Sequence, residues 1–189
     1  MEPNDVKQRL QEAVAWHNQG QLYKAESIYL SVLSADQNNF YALRFLGCLY
    51  RSLGRYEEGK LLLEKATLLK PFDKDALFNL ANIYACCRQH EDAVSVFGRC
   101  LHADSMFAEA WSGLGWSLLE IGKVEDSRSA LDRALILNPG LAIAWLNLAN
   151  TQRRQNKMEQ AISSYQKAIE LKPDFAEAYL NLGCILKEE

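Results

Sequence analysis

The chain has 189 residues, 49% of them hydrophobic and 24% charged, a globular rather than disordered composition that leaves room for one ordinary domain or an array of small units. Its 21 Lys and Arg against 24 Asp and Glu give a formal net charge of -3, so no global basic field exists to hold a nucleic acid or an anionic membrane. The polar, acidic start MEPNDVKQRL has no basic leader or apolar run, and no stretch approaches the roughly 20 apolar residues that span a bilayer. These features point to a cytoplasmic protein. Cys48, Cys86, Cys87, Cys100 and Cys184 are odd in number and without CxxC spacing, which fits reduced packing thiols better than a disulfide framework.

Self-similarity sets the organisation before any single helix does. Pro71 and Pro139 stand 68 residues apart, and Pro139 and Pro173 stand 34 apart. Frames of 34 residues keyed to that proline slot give repeats 6–39, 40–73, 74–107, 108–141 and 142–175, with a half repeat 176–189.

Repeat 1 predicts a first helix with Arg9, Glu12 and Ala13, a turn at Gly20, and a second helix with Ala25 and Tyr29. Repeat 2 follows the same plan with Leu43, Leu46 and Gly47, a turn at Gly54, then Gly59 and Leu63, closed by Pro71. In repeat 3 the series runs Leu77, Leu80 and Ala81, then Arg88 at the turn, Ala93 and Phe97, with Ser105 in the proline slot. Repeat 4 offers Trp111, Leu114 and Gly115, the turn at Gly122, Ser127 and Leu131, and Pro139. Repeat 5 offers Trp145, Leu148 and Ala149, Asn156, Ala161 and Tyr165, and Pro173. The half repeat starts again with Tyr179, Leu182 and Gly183.

Spacings of three and four place these residues on one face of each helix, so each frame is an amphipathic helix pair. The invariably small residues at the eighth and twentieth positions are what a close helix crossing demands. Gly or Asn just past the first helix suits the left-handed backbone found there. Arg88 either bears about 1 kcal/mol of strain in that geometry or marks an altered turn. The proline slot stops the second helix; Gln37 and Ser105 replace it in repeats 1 and 3.

The pattern resembles the tetratricopeptide repeat, whose signature is W-x2-L-G-x2-Y followed by A-x3-F, A and P. Repeat 4 matches it through Trp111, Leu114, Gly115, Leu118, Ser127, Leu131, Ala134 and Pro139. Repeat 5 matches through Trp145, Leu148, Ala149, Ala161, Tyr165, Ala168 and Pro173. The resemblance covers residues 6–189. It implies an all-α, right-handed α-solenoid of tandem helix-turn-helix repeats, five full repeats plus one first helix, as a single domain over 1–189. Repeat 1 departs most, with Arg9 and Glu12 in normally apolar slots, as a solvent-facing end unit would have.

In this family the first helices line the concave surface where ligands lie. The amides Gln11, Asn79, Asn82, Asn147, Asn150 and Asn181 fall in that groove, and side-chain amides can meet a peptide backbone as donor and acceptor; the alternative is a merely solvated column. Phe45, Phe78, Trp116, Leu119, Leu146 and Leu180 interleave with them, as binding residues or as packing between neighbouring first helices. Arg51 adds positive charge near one end, and Arg153, Arg154 and Lys187 near the other. The family variant that clamps a C-terminal carboxylate is not reproduced, since its Lys position runs Leu10, Arg44, Phe78, Ser112, Leu146 and Leu180. The groove resembles instead the arm of protein O-linked N-acetylglucosamine transferases, through Asn79, Asn147 and Asn181, with Phe45 and Gly113 interrupting the ladder.

No glycine-rich phosphate loop, HExxH or paired carboxylates stand out, and His17, His90 and His102 lack a convergent nucleophile. Cys86, Cys87, His90 and Cys100 make a poor metal set. The expectation is therefore no enzyme, no metal and no cofactor, but an interaction scaffold that binds a protein or peptide. The alternative is the recognition arm of a longer enzyme such as a glycosyltransferase, because Tyr179, Leu182, Ile185 and Leu186 include positions a following helix would cover. Self-association through that last helix is a third expectation.

Overall fold

The computed structural model describes residues 3–188, which form eleven α-helices and no strand. They gather into two compact units, Met1–Gln89 and His90–Glu189. The first unit holds α1 (Pro3–Asn18), α2 (Leu22–Ala35), α3 (Phe40–Ser52), α4 (Tyr56–Leu69) and α5 (Lys74–Cys86). The second holds α6 (His90–Ala103), α7 (Ala108–Glu120), α8 (Val124–Leu137), α9 (Ala142–Arg154), α10 (Met158–Leu171) and α11 (Ala176–Glu188). From α3 onward every odd-numbered helix starts on the first residue of its predicted frame. Every even-numbered one starts on the seventeenth, so the 34-residue period is kept without insertion.

The turn after each first helix is left-handed in all five repeats. Gly20, Gly54 and Gly122 have φ of 75°, 74° and 80°, and Arg88 and Asn156 both have φ of 60°. Arg88 thus keeps the shared geometry and bears its steric cost, whereas Asn tolerates it through its short polar side chain.

Each second helix ends at the thirtieth position, whether or not proline follows. A side-chain turn closes the second helix where the slot holds Gln37 or Ser105, as it also does beside Pro139, where Gly140 N–H donates to Asn138 Oδ1 at 3.1 Å. Asn38 N–H donates to Asp36 Oδ1 at 3.0 Å, and Met106 N–H donates to Asp104 Oδ1 at 2.9 Å. These side-chain turns compete with helical bonding and stop propagation as proline does. The next helix is capped in the first unit by Asn39 and Asp73, whose Oδ1 atoms accept from Ala42 N–H and Ala76 N–H at 3.1 and 2.9 Å. In the second unit Phe107 and Leu141 hold that position without a side-chain cap. There the tryptophans fasten the entry instead: Trp111 Nε1–H donates to the Ser105 carbonyl and Trp145 Nε1–H to the Pro139 carbonyl, both at 2.9 Å.

The predicted close crossings are present. A Cβ on Gly47 would stand 2.6 Å from Leu63 Cγ and 3.3 Å from the Gly59 carbonyl; on Gly115 it would stand 2.6 Å from Leu131 Cγ and 3.2 Å from the Ser127 carbonyl. Leu63 and Leu131 are fully buried there, each burial being worth about 1.5–3 kcal/mol. The twentieth position also touches the tenth of the following repeat. In the first unit Gly59 leaves room for Ile83 Cδ1, 2.9 Å from where a Cβ would be. In the second, Ser127 Oγ hydrogen-bonds Thr151 Oγ1 at 3.0 Å.

Candidate functional site

Val6, Leu10 and Val14 recur every four residues along α1, and Lys7 and Gln11 run beside them, so a helical stripe of apolar side chains carries a polar margin. Facing it, α3 presents Tyr41 and Phe45, again four apart, with the α3 cap residue Asn39 alongside. These eight residues enclose an open groove of about 610 Å³, within the 300–1,000 Å³ range typical of ligand sites. Phe45 stacks on the fully buried Tyr29 at 5.9 Å between ring centroids and on Tyr41 at 6.4 Å, which fixes the groove wall.

Cations frame these rings. The Arg44 guanidinium lies 4.8 Å from the Phe45 centroid and 6.0 Å from that of Tyr41, held by Asp75 at 2.5 Å and Asp73 at 3.5 Å. Lys70 Nζ sits 4.6 Å over the Tyr41 ring and 3.5 Å from its hydroxyl. No carboxylate lines the groove.

The amides singled out in the sequence are largely occupied by the protein itself. Asn79 donates to the Asp75 carbonyl and accepts from Arg51 Nε, at 2.8 and 3.1 Å. Asn82 donates to the Phe78 carbonyl at 2.8 Å. Asn147 is buried, 6% exposed, and donates to Ser112 Oγ at 3.3 Å. Asn150 Oδ1 accepts from the Tyr165 hydroxyl at 2.5 Å and from Asn181 Nδ2 at 3.2 Å. Gln11, by contrast, is exposed and has no hydrogen-bond partner among the described residues.

The apolar set divides too. Phe45, Phe78 and Trp116 are half-buried and Leu180 is exposed, whereas Leu119 and Leu146 are buried in the core rather than open to a ligand. Trp116 meets His90 edge to face at 5.4 Å. His90 Nδ1 is buried without a partner, and so are Arg44 Nε and the Tyr29 hydroxyl. Arg153 and Arg154 are exposed in the last turn of α9.

Burial raises the Cys87 thiol above its usual range, so it is not an activated thiolate. Among the described residues no three His, Cys, Asp or Glu side chains gather to hold a metal ion, and no helix is long and apolar enough to cross a membrane.

Three segments of the sequence match models of one repeat family: 43–73 and 88–142 match models described as tetratricopeptide repeat, and 150–188 one described as TPR repeat. This is a tetratricopeptide-repeat protein. Its fold is shared with MamA of Desulfovibrio magneticus RS-1, at 19% identity and a TM-score of 0.78 over 90% of this chain and 97% of that one. YrrB, described as a TPR protein with an unusual peptide-binding site, is 23% identical with a TM-score of 0.73 over 92% of this chain and 89% of that one. The thermophilic TPR protein TTC0263 of Thermus thermophilus is 17% identical with a TM-score of 0.77, covering 96% of this chain and 99% of that one. At these identities the likeness concerns the fold. No curated protein matches the chain.

Within the tetratricopeptide frame, Lys7, Leu10 and Val14 of repeat 1 and Tyr41 of repeat 2 join Gln11 and Phe45, the two lining residues that the repeat pattern itself places in the groove. The signal available was aromatic density: Phe40, Tyr41 and Phe45 fall within six residues around Arg44.

Proposed function

We propose that the chain is a protein-interaction scaffold that takes an extended segment of a partner on the faces of its first helices. The observation that carries this is the open, carboxylate-free groove between α1 and α3, walled by Tyr41 and Phe45 and bordered by the uncommitted Gln11 amide. On their own first helices, Phe78, Asn79 and Asn82 in the first unit and Trp116, Asn150, Asn181, Arg153 and Arg154 in the second are further candidate contacts, the amides only on giving up their internal hydrogen bonds. Asn147 acts as an internal brace. The peptide-binding site described for YrrB supports a role of this kind for the fold.

The test is a photoactivatable phenylalanine analogue placed at Tyr41 of the full chain or, as control, at Leu61, an exposed residue of α4. Irradiation in cells is expected to yield covalent polypeptide adducts at position 41 and not at 61. Equal yields at both positions, or none at 41, would remove the groove from the proposal.

A second role, as the recognition arm of a longer enzyme such as a glycosyltransferase, is favoured by α11. Of the four residues expected to await a following helix, Tyr179 and Leu186 are exposed, with Leu180 beside them, whereas Leu182 is half-buried and Ile185 is buried in the core; a Cβ on Gly183 would meet nothing within 4 Å. A stop codon directly after codon 189 would end that role. Pairing of α11 with a second copy predicts a light-scattering mass above one chain, restored to one chain by Leu186→Glu.

A further inference from the structure

The α1/α3 groove is chemically one-sided. Its floor is Val6, Leu10, Val14 and Phe45, and its margin carries Lys7, with Lys70 over the Tyr41 ring. Neither lysine has a carboxylate partner among the described residues, whereas Arg44 is neutralised by Asp73 and Asp75. The local balance runs against the chain as a whole. Of the 21 Lys and Arg, 11 fall in residues 1–89, against 10 of the 24 Asp and Glu. A neutral apolar occupant would leave both cations without a counter-charge. A basic one would meet like charge, which costs affinity and association rate.

We propose that this groove takes an acidic, apolar segment of a partner protein: an aromatic or branched aliphatic side chain seated against Leu10 and Phe45, with Asp or Glu beside it facing Lys7 and Lys70. This rests on the scaffold role and names its ligand chemistry. The charges it reads are side-chain carboxylates. Gln11, exposed and uncommitted, has a free donor and acceptor for one peptide group of the bound segment. That backbone demand favours a polypeptide over a small amphiphilic acid.

The test is selection of a random dodecapeptide phage library on the immobilised full chain, followed by fluorescence anisotropy of the enriched sequences as amidated synthetic peptides. Enriched peptides are expected to place Asp or Glu within two residues of Phe, Tyr, Trp, Leu, Ile or Val. Lys7→Glu and Tyr41→Asp should each weaken binding about tenfold, with the helical circular dichroism spectrum kept in both and the melting temperature unchanged in Lys7→Glu, whose side chain is exposed. Binding should also weaken as salt rises from about 0.05 to about 0.5 M.

Enriched peptides that are basic or uncharged, or whose affinity survives both substitutions, would overturn the acidic assignment. With adducts at position 41, that result would leave the scaffold role intact. No enrichment would likewise overturn it, while absence of adducts at position 41 would sink the groove itself.

Discussion

The two units solve one packing problem with different chemistry. In the first, Gly59 admits Ile83 by shape alone, and charges lie over rings: Arg55 is 3.8 Å from the Tyr50 centroid and pairs with Glu26 and Glu58. In the second, the equivalent contact is the Ser127–Thr151 hydrogen bond, and other buried side-chain bonds involve α9, the Ser164–Gln152 bond being separate from the rest. Thr151 donates to the Asn147 carbonyl, Asn147 to Ser112, and Ser164 to Gln152. Shape tolerates small losses gradually. A satisfied buried hydrogen bond does not, because removing one partner strands the other.

The largest expected effect tests what the units share. Gly47→Val and Gly115→Val each force a side chain against a buried leucine and a backbone carbonyl. Both should cost about 3 kcal/mol, read as a drop in denaturant midpoint; a clearly smaller loss in one would mean that its crossing can relax. Next comes the contact that differs. Thr151→Val should cost about 2 kcal/mol by stranding Ser127, against about 1 kcal/mol for Ile83→Val. Adding Ser127→Gly to Thr151→Ile should recover most of that loss by recreating the first unit's pair.

A finer contrast lies in two fully buried tyrosines at the same repeat position. Tyr165 donates to Asn150, so Tyr165→Phe should cost about 1 kcal/mol. The Tyr29 hydroxyl has no partner, so Tyr29→Phe should be neutral or slightly stabilising in the same melting assay.

A further effect is alkaline. Burial pushes Tyr29 up to about 12 from a reference of 10.0, and burial with the hydrogen bond to Glu26 does the same for Tyr50. Burial also raises Tyr165. Above pH 10 the unfolded chain therefore binds fewer protons than the folded one, and stability should fall as pH rises from about 10 to about 12. Denaturant midpoints across that range should fall less steeply in Tyr50→Phe; an unchanged slope would rule out that contribution.

The period, the helix starts and the five left-handed turns were legible because they depend on local spacing and on side chains that restrict the backbone. The Asp36 and Asp104 turns were not, since proline's absence reads as a missing stop until the aspartate two residues before Asn38 or Met106 is given its own bonds. The amides were legible as a column but not as occupied. Asn147 finds Ser112 and Asn150 finds Asn181, partners 35 and 31 residues away, and a one-dimensional pattern cannot distinguish an amide waiting for a ligand from one bridging two repeats. The groove emerged only when the aromatic wall of α3 was set against α1.

The Gly59–Ile83 and Ser127–Thr151 pairs also bear on how such a chain can be rearranged by recombination. Repeats of equal length look interchangeable, yet exchanging repeats 2 and 4 would set Ser127 against Ile83 and Gly59 against Thr151. One seam would then hold a crowded, unbonded hydroxyl and the other a bereft one. The order of the repeats is thus written in their smallest side chains.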